Sequence, residues 1–170
     1  MKKTSVCHLL FITLSFFLCG IQASLYFLPF SLPYFWFVIL TYYSFKKSLQ
    51  FSLVCNIFHI FIISQFSSIG ISSLLVNMNL VSLLFLILRD RFHIGLLQMS
   101  LSSGVGCLFF LFNSWFLSSM ANGFYWPNLW SWVGSSLMTV LVAPAIIPIL
   151  SFFDQKIHIE RIDTLENLRI

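Results

Sequence analysis

The chain has 170 residues, of which 59% are apolar and only 8% are Asp, Glu, Lys or Arg, with a mean hydropathy of +0.95. Soluble domains are charged at roughly a quarter of their positions, so this composition excludes a water-soluble globule and predicts an integral membrane protein. The net charge of +4 does not point to nucleic acid, which requires basic residues gathered on one solvated face; here they come in pairs at the ends of apolar runs.

A helix needs about 20 apolar residues to cross the hydrocarbon core, and six segments qualify: 5–23, 25–45, 48–66, 69–88, 94–119 and 128–153. The first follows Lys2 and Lys3. Its basic start, apolar run and small residues Ala23 and Ser24 have the outline of a signal peptide. Ile21 is a poor residue three before that cut, and Leu18 before Cys19 does not fit a lipoprotein box, so a retained first helix is expected. The second span opens at Pro29 and Pro33, where proline near a helix start costs little, and ends at Lys46 and Lys47.

The third span carries Asn56, His59 and Gln65. Asn56 and His59 are three residues apart and share a helical face. Both are expected to face the bundle interior and to hydrogen-bond across helices, for about 1 kcal/mol each; a ligand-binding or switching role for His59 stays open. Asn77 and Asn79 in the fourth span have the same interior reading, although residues two apart cannot share one face. That span ends in "RDRFH", where Arg89, Asp90 and Arg91 put three charges in three positions.

In the fifth span, "SGVGC" lacks the flanks of a nucleophile elbow, and Gly104 and Gly106 are expected to permit close helix approach. The connection "NGFYWPNLW" is aromatic and uncharged. It suits the membrane interface, with a partner contact through Phe124, Tyr125 and Trp126 as its second reading. Pro144 and Pro148 interrupt the sixth span, which is expected to be kinked or locally unwound unless neighbours satisfy the freed carbonyls. A polar cytoplasmic tail, 154–170, completes a single six-helix domain, 1–153.

All nine Lys and Arg fall before span one, between spans two and three, between four and five, or after six. The positive-inside rule makes that side cytoplasmic, with both termini inside. The Arg89–Arg91 turn then anchors two helices against slipping into the bilayer, and offers a docking site for a cytoplasmic partner as a compatible use. No Asp, Glu, Lys or Arg sits at the centre of a span, which excludes intramembrane aspartyl chemistry and carboxylate proton relays. The bases within spans are His8 and His59. Cys7, Cys19, Cys55 and Cys107 lie in apolar segments without C-x-x-C spacing and read as small buried thiols. Neither catalysis, nor a metal, nor a cofactor is expected.

Several of these features coincide in the rod shape-determining protein MreD family. "LPYFWFVILTYYSFKKSLQ" resembles that family's second span, with Pro33, Tyr42, Lys46 and Lys47 in the places of its proline, aromatic residue and basic turn. "SSIGISSLLVNMNLVSLLFLILRDRF" resembles its next unit, from Gly70 to the basic turn Arg89–Arg91. "SSLMTVLVAPAIIPILSFFDQK" is similar to its last span, with Thr139 and Pro144 as the polar residue and the proline. The resemblance covers about residues 29 to 156. It implies an all-α polytopic membrane protein of the bacterial inner membrane, without enzymatic activity, similar in fold to the S component of energy-coupling-factor transporters. It also implies partners: a periplasmic MreC-like protein, an MreB-like filament and the synthases of lateral-wall peptidoglycan, besides membrane lipid. The S-component likeness supplies the alternative, a vitamin-binding transporter subunit, which the short uncharged outer connections disfavour.

Overall fold

The computed structural model describes residues 2–24, 33–66, 70–89 and 95–157. Within them lie six helices: α1 (Lys2–Ser24), α2 (Phe35–Lys46), α3 (Leu49–Phe66), α4 (Ile71–Arg89), α5 (Leu96–Asn122) and α6 (Leu129–Ile157). Among the described residues every regular element is an α-helix. Ile71–Arg89, Leu96–Asn122 and Leu129–Gln155 are long and apolar enough to cross a membrane, while the apolar runs Leu9–Ser24 and Leu49–Gln65 are shorter.

α2 touches all five other helices, and those five form a ring around it in the order α1, α3, α4, α5, α6, with the slightest join between α6 and α1. Ten of the twelve residues of α2 are buried, from Trp36 to Phe45. A helix that is apolar all round must be enclosed by others or by lipid. Here the enclosure is protein, and the ring helices turn the opposite way. On α3, Ile57, Phe58 and Phe61 face outward while Asn56 and His59 are fully buried. Polar residues inside and apolar residues outside is the arrangement a lipid environment favours, because lipid offers buried polar groups no partners.

The second span differs from the sequence expectation. Its described helix, α2, starts at Phe35, and residues 25–32 lie outside the described ones. Pro33 supplies no N–H, and α2 begins two residues beyond it. The Tyr34 N–H donates to Thr139 Oγ1 of α6 at 2.9 Å. At 1.5 Å per residue, twelve residues reach about 18 Å, less than a bilayer core.

Contacts fix the helix directions. Tyr34 meets Thr139 and Lys47 meets Asp154, so α2 and α6 are parallel. Ser44 meets Ser82 and Lys47 meets Arg89, so α4 is parallel to both. Phe11 packs on Phe51 and Ser15 on His59, which makes α1 and α3 parallel to each other. Phe85 lies beside Gly106 and Asn77 beside Ser114, so α5 opposes α4. Lys47, Arg89 and Asp154 thus gather at one end, called the charged end below. The α5–α6 connection marks the other, aromatic end.

The glycines of α5 serve close approach. A methyl at Gly104 would overlap Val140 and lie 3.2 Å from the Ser136 carbonyl; at Gly106 it would overlap Phe85 and stand 3.0 Å from Phe37. α6 runs helical through Pro144 and Pro148, both on its exposed side, so the local unwinding allowed for there does not occur. The helix also takes in Asp154, which the sequence reading assigned to the tail.

Candidate functional site

The polar residues of the interior form a ladder from α1 to α4, with Tyr43 of α2 at its middle. The Tyr43 hydroxyl donates to Asn56 Oδ1 at 2.7 Å. Asn56 Nδ2 in turn donates to Asn79 Oδ1 at 3.0 Å and to Ser82 Oγ at 2.9 Å. Ser44 reaches the same Ser82 hydroxyl at 3.4 Å. One amide therefore ties three helices together, and Asn56 has a partner at both ends.

His59 extends the ladder to α1. Its Nε2 is hydrogen-bonded to Ser15 Oγ, and its Nδ1 lies 3.1 Å from the Cys55 carbonyl of its own helix. A neutral imidazole has one N–H, which leaves two proton arrangements. Either Nδ1–H donates to Cys55 and the Ser15 hydroxyl donates to Nε2, or Nε2–H donates to Ser15, whose hydroxyl donates to the Phe11 carbonyl. The Tyr43 ring, 5.5 Å from the imidazole centroid, covers it. Ser15 and His59 are both fully buried.

Asn77 and Asn79 go separate ways, as residues two apart on a helix must. Asn79 joins Asn56, whereas Asn77 turns to α5, its Nδ2 donating to Ser114 Oγ at 3.0 Å and toward Ser73 Oγ at 3.4 Å.

At the charged end, Lys47 Nζ and Asp154 Oδ1 form an ion pair whose side chains are 2% and 9% exposed. Tyr42 donates its hydroxyl to Asp154 Oδ2 at 3.0 Å, Arg89 Nη1 donates to the Lys47 carbonyl at 3.0 Å, and Lys47 Nζ stands 6.0 Å from the Phe51 ring centroid. Three parallel helices end in one cluster. Of the expected cytoplasmic turn, Arg89 is part of this cluster, while Asp90 and Arg91 lie outside the described residues. So do the side chain of His8 and the tail beyond residue 157.

Sequence reasoning treated Lys47 and Asp154 as solvated loop charges and missed their pairing. The available signal was opposite charge at the corresponding ends of two spans running the same way. It likewise missed Tyr43, Ser15 and Ser82, and named Tyr42 only for its place in the resemblance, since a tyrosine or serine in an apolar helix carries no mark of its partner.

At the aromatic end, Trp115 Nε1 donates to the Tyr125 carbonyl at 2.8 Å, and its ring meets Phe124 and Trp132 edge-on at 5.6 and 6.3 Å between centroids. The connection is folded back onto α5, yet Trp126 and Trp130 are 83% and 86% exposed. Phe124, Tyr125 and Trp126 thus stand together on the surface, well away from the polar ladder. In chemical terms the ladder and the ion pair hold helices in register, and the aromatic end presents a surface.

A search of family models finds no match to this chain, and neither the curated proteins nor the solved structures yield one.

Proposed function

We propose that this protein is a non-enzymatic scaffold of the bacterial inner membrane, with six membrane segments and both termini cytoplasmic, acting in the cell-elongation complex that organises lateral-wall peptidoglycan synthesis. The assignment to that complex rests on the sequence resemblance to the MreD family, and with it come the partners: an MreC-like periplasmic protein, an MreB-like filament and wall synthases. The observation that carries the scaffold reading is how the central polar groups are used. Tyr43, Asn56, Asn79, Ser82, His59 and Ser15 bond one another across four helices, which rigidifies a bundle. The parallel run of α2, α4 and α6 with α5 opposed, and the gathering of Lys47, Arg89 and Asp154 at one end, support a multi-pass arrangement with that end in the cytoplasm.

The exposed aromatic triad Phe124, Tyr125 and Trp126 supplies the contact for an apolar partner surface, since aromatic residues are enriched at interface cores and charge is depleted there. Depletion of the protein is expected to round a rod-shaped host, and the protein is expected to co-purify with MreC in mild detergent. Changing the triad to Ser should weaken that association. Depleted cells that keep their shape, together with a purified protein that retains a water-soluble vitamin in stoichiometric amount, would favour the transporter alternative instead.

A further inference from the structure

The interior is paired unevenly. Toward the charged end the ladder residues satisfy one another, but toward the aromatic end buried polar atoms stand without partners: Gln22 Oε1, Asn77 Oδ1, Asn113 Nδ2, Ser119 Oγ and Ser136 Oγ. Asn77 is fully buried. Its Nδ2 is engaged by Ser114 and Ser73, and turning the amide over would only exchange the ends: Oδ1 would accept from the two hydroxyls and Nδ2 would be orphaned. Either way half of a buried amide is unmatched, at a cost of about 1–3 kcal/mol. Native interiors relieve such groups with bound water or a ligand.

Asn113 provides the complement. Gly106 packs against Phe85 across the α4–α5 seam. Asn77 lies eight residues from Phe85 toward the aromatic end, and Asn113 lies seven from Gly106 in the same direction. At 1.5 Å per residue the two positions are level along the helix axes to within about 2 Å, and Ser114, which bonds Asn77, is the residue next to Asn113. An orphaned acceptor on α4 and an orphaned donor on α5 are thus placed at one height of two packed helices, each without a partner.

We propose that Asn77 and Asn113 hold a buried hydroxyl-bearing molecule, which donates to Asn77 Oδ1 and accepts from Asn113 Nδ2. The chemistry is that of one O–H group, available from water or from a small neutral polyol. An ion is disfavoured, because neither amide carries charge to compensate it. The inference stands on the pairing of these two amides and is independent of the rod-shape reading.

Radiolytic hydroxyl-radical footprinting of the purified full chain in oxygen-18 water tests it, with native mass spectrometry of the same sample. Phe110 is the reporter: it is buried and lies one turn from Ser114 on α5. If water is the occupant, Phe110 takes up oxygen-18 in the wild type and loses that label in Asn77→Leu and in Asn113→Leu, while the label at exposed Tyr125 is unchanged. If a polyol is the occupant, Phe110 is unlabelled and a small neutral adduct rides with the wild type but not with either variant. Two variants on different helices keep the test readable should one fail to fold. An unlabelled Phe110 with no adduct, or a Phe110 label that survives both substitutions, overturns the proposal.

Discussion

Removing one member of the Lys47–Asp154 pair should damage the protein far more than removing both. Asp154→Asn leaves an ammonium group whose side chain is 2% exposed, with the Phe51 ring 6.0 Å from its nitrogen. Breaking a buried pair from one side costs about 3–5 kcal/mol, whereas replacing both members by apolar residues of similar volume is often neutral or stabilising by about 1–4 kcal/mol. Lys47→Met should cost somewhat less than Asp154→Asn, since Asp154 retains the Tyr42 hydroxyl at 3.0 Å. Lys47→Met combined with Asp154→Leu is expected within about 1 kcal/mol of the wild type or above it, giving a coupling of several kcal/mol in a double-mutant cycle. Reversible unfolding of the full chain, by titrating denaturing detergent into mild detergent and following Trp fluorescence, reads all four species. Single substitutions that each cost no more than the 0–1 kcal/mol typical of exposed pairs would refute the reasoning, because they would mean that water reaches the pair.

Gly106→Ala should destabilise: its methyl meets the buried rings of Phe85 and Phe37, and overpacking costs about 1–3 kcal/mol against a helix-propensity gain of about 1 kcal/mol. At Gly20 nothing lies within 4 Å of the added carbon, so the same change there should be neutral or mildly stabilising in the same unfolding assay. Tyr43→Phe removes the donor to Asn56 Oδ1 and should cost about 1–3 kcal/mol, with Asn56→Leu added to it costing less than the two effects summed; strict additivity in that cycle would argue against the bond. His59→Leu should be tolerated better than His59→Lys, which buries an unpaired ammonium, and comparable yields of folded protein from both would place His59 beside water or lipid headgroups. Reporter fusions at Ser67 and Asn122 are expected outside and one at Asp90 inside, and a periplasmically active reporter at Asp90 would count against six spans.

What was legible in the sequence follows from periodicity and charge. All six helices could be located, five of them at nearly their observed bounds, because a run of some twenty apolar residues has few other uses. The inward-facing positions of Asn56, His59 and Asn77 were legible too, since each is costly against lipid. The start of α2 was not. An apolar run reports hydrophobicity and says nothing of where Pro33 lets the backbone begin to coil. Nor was the identity of the central helix, because α2 and its enclosing neighbours have similar composition, and only packing distinguishes the enclosed from the enclosing. Pairings such as Lys47 with Asp154, 107 residues apart, are products of the fold. They can be suspected from topology but not read from spacing.

The enclosure of α2 has a consequence for biosynthesis. The helix that ends at the centre is made second, and its two ends are secured by the helix made last: Tyr34 waits for Thr139 and Lys47 for Asp154. Until α6 leaves the ribosome, α2 has an unclosed ring around it and a lysine without its counter-ion. Until then α2 rests on its contacts with α1, α3, α4 and α5. The slight α6–α1 join is then the natural closing point, where the final helix completes the ring against the first.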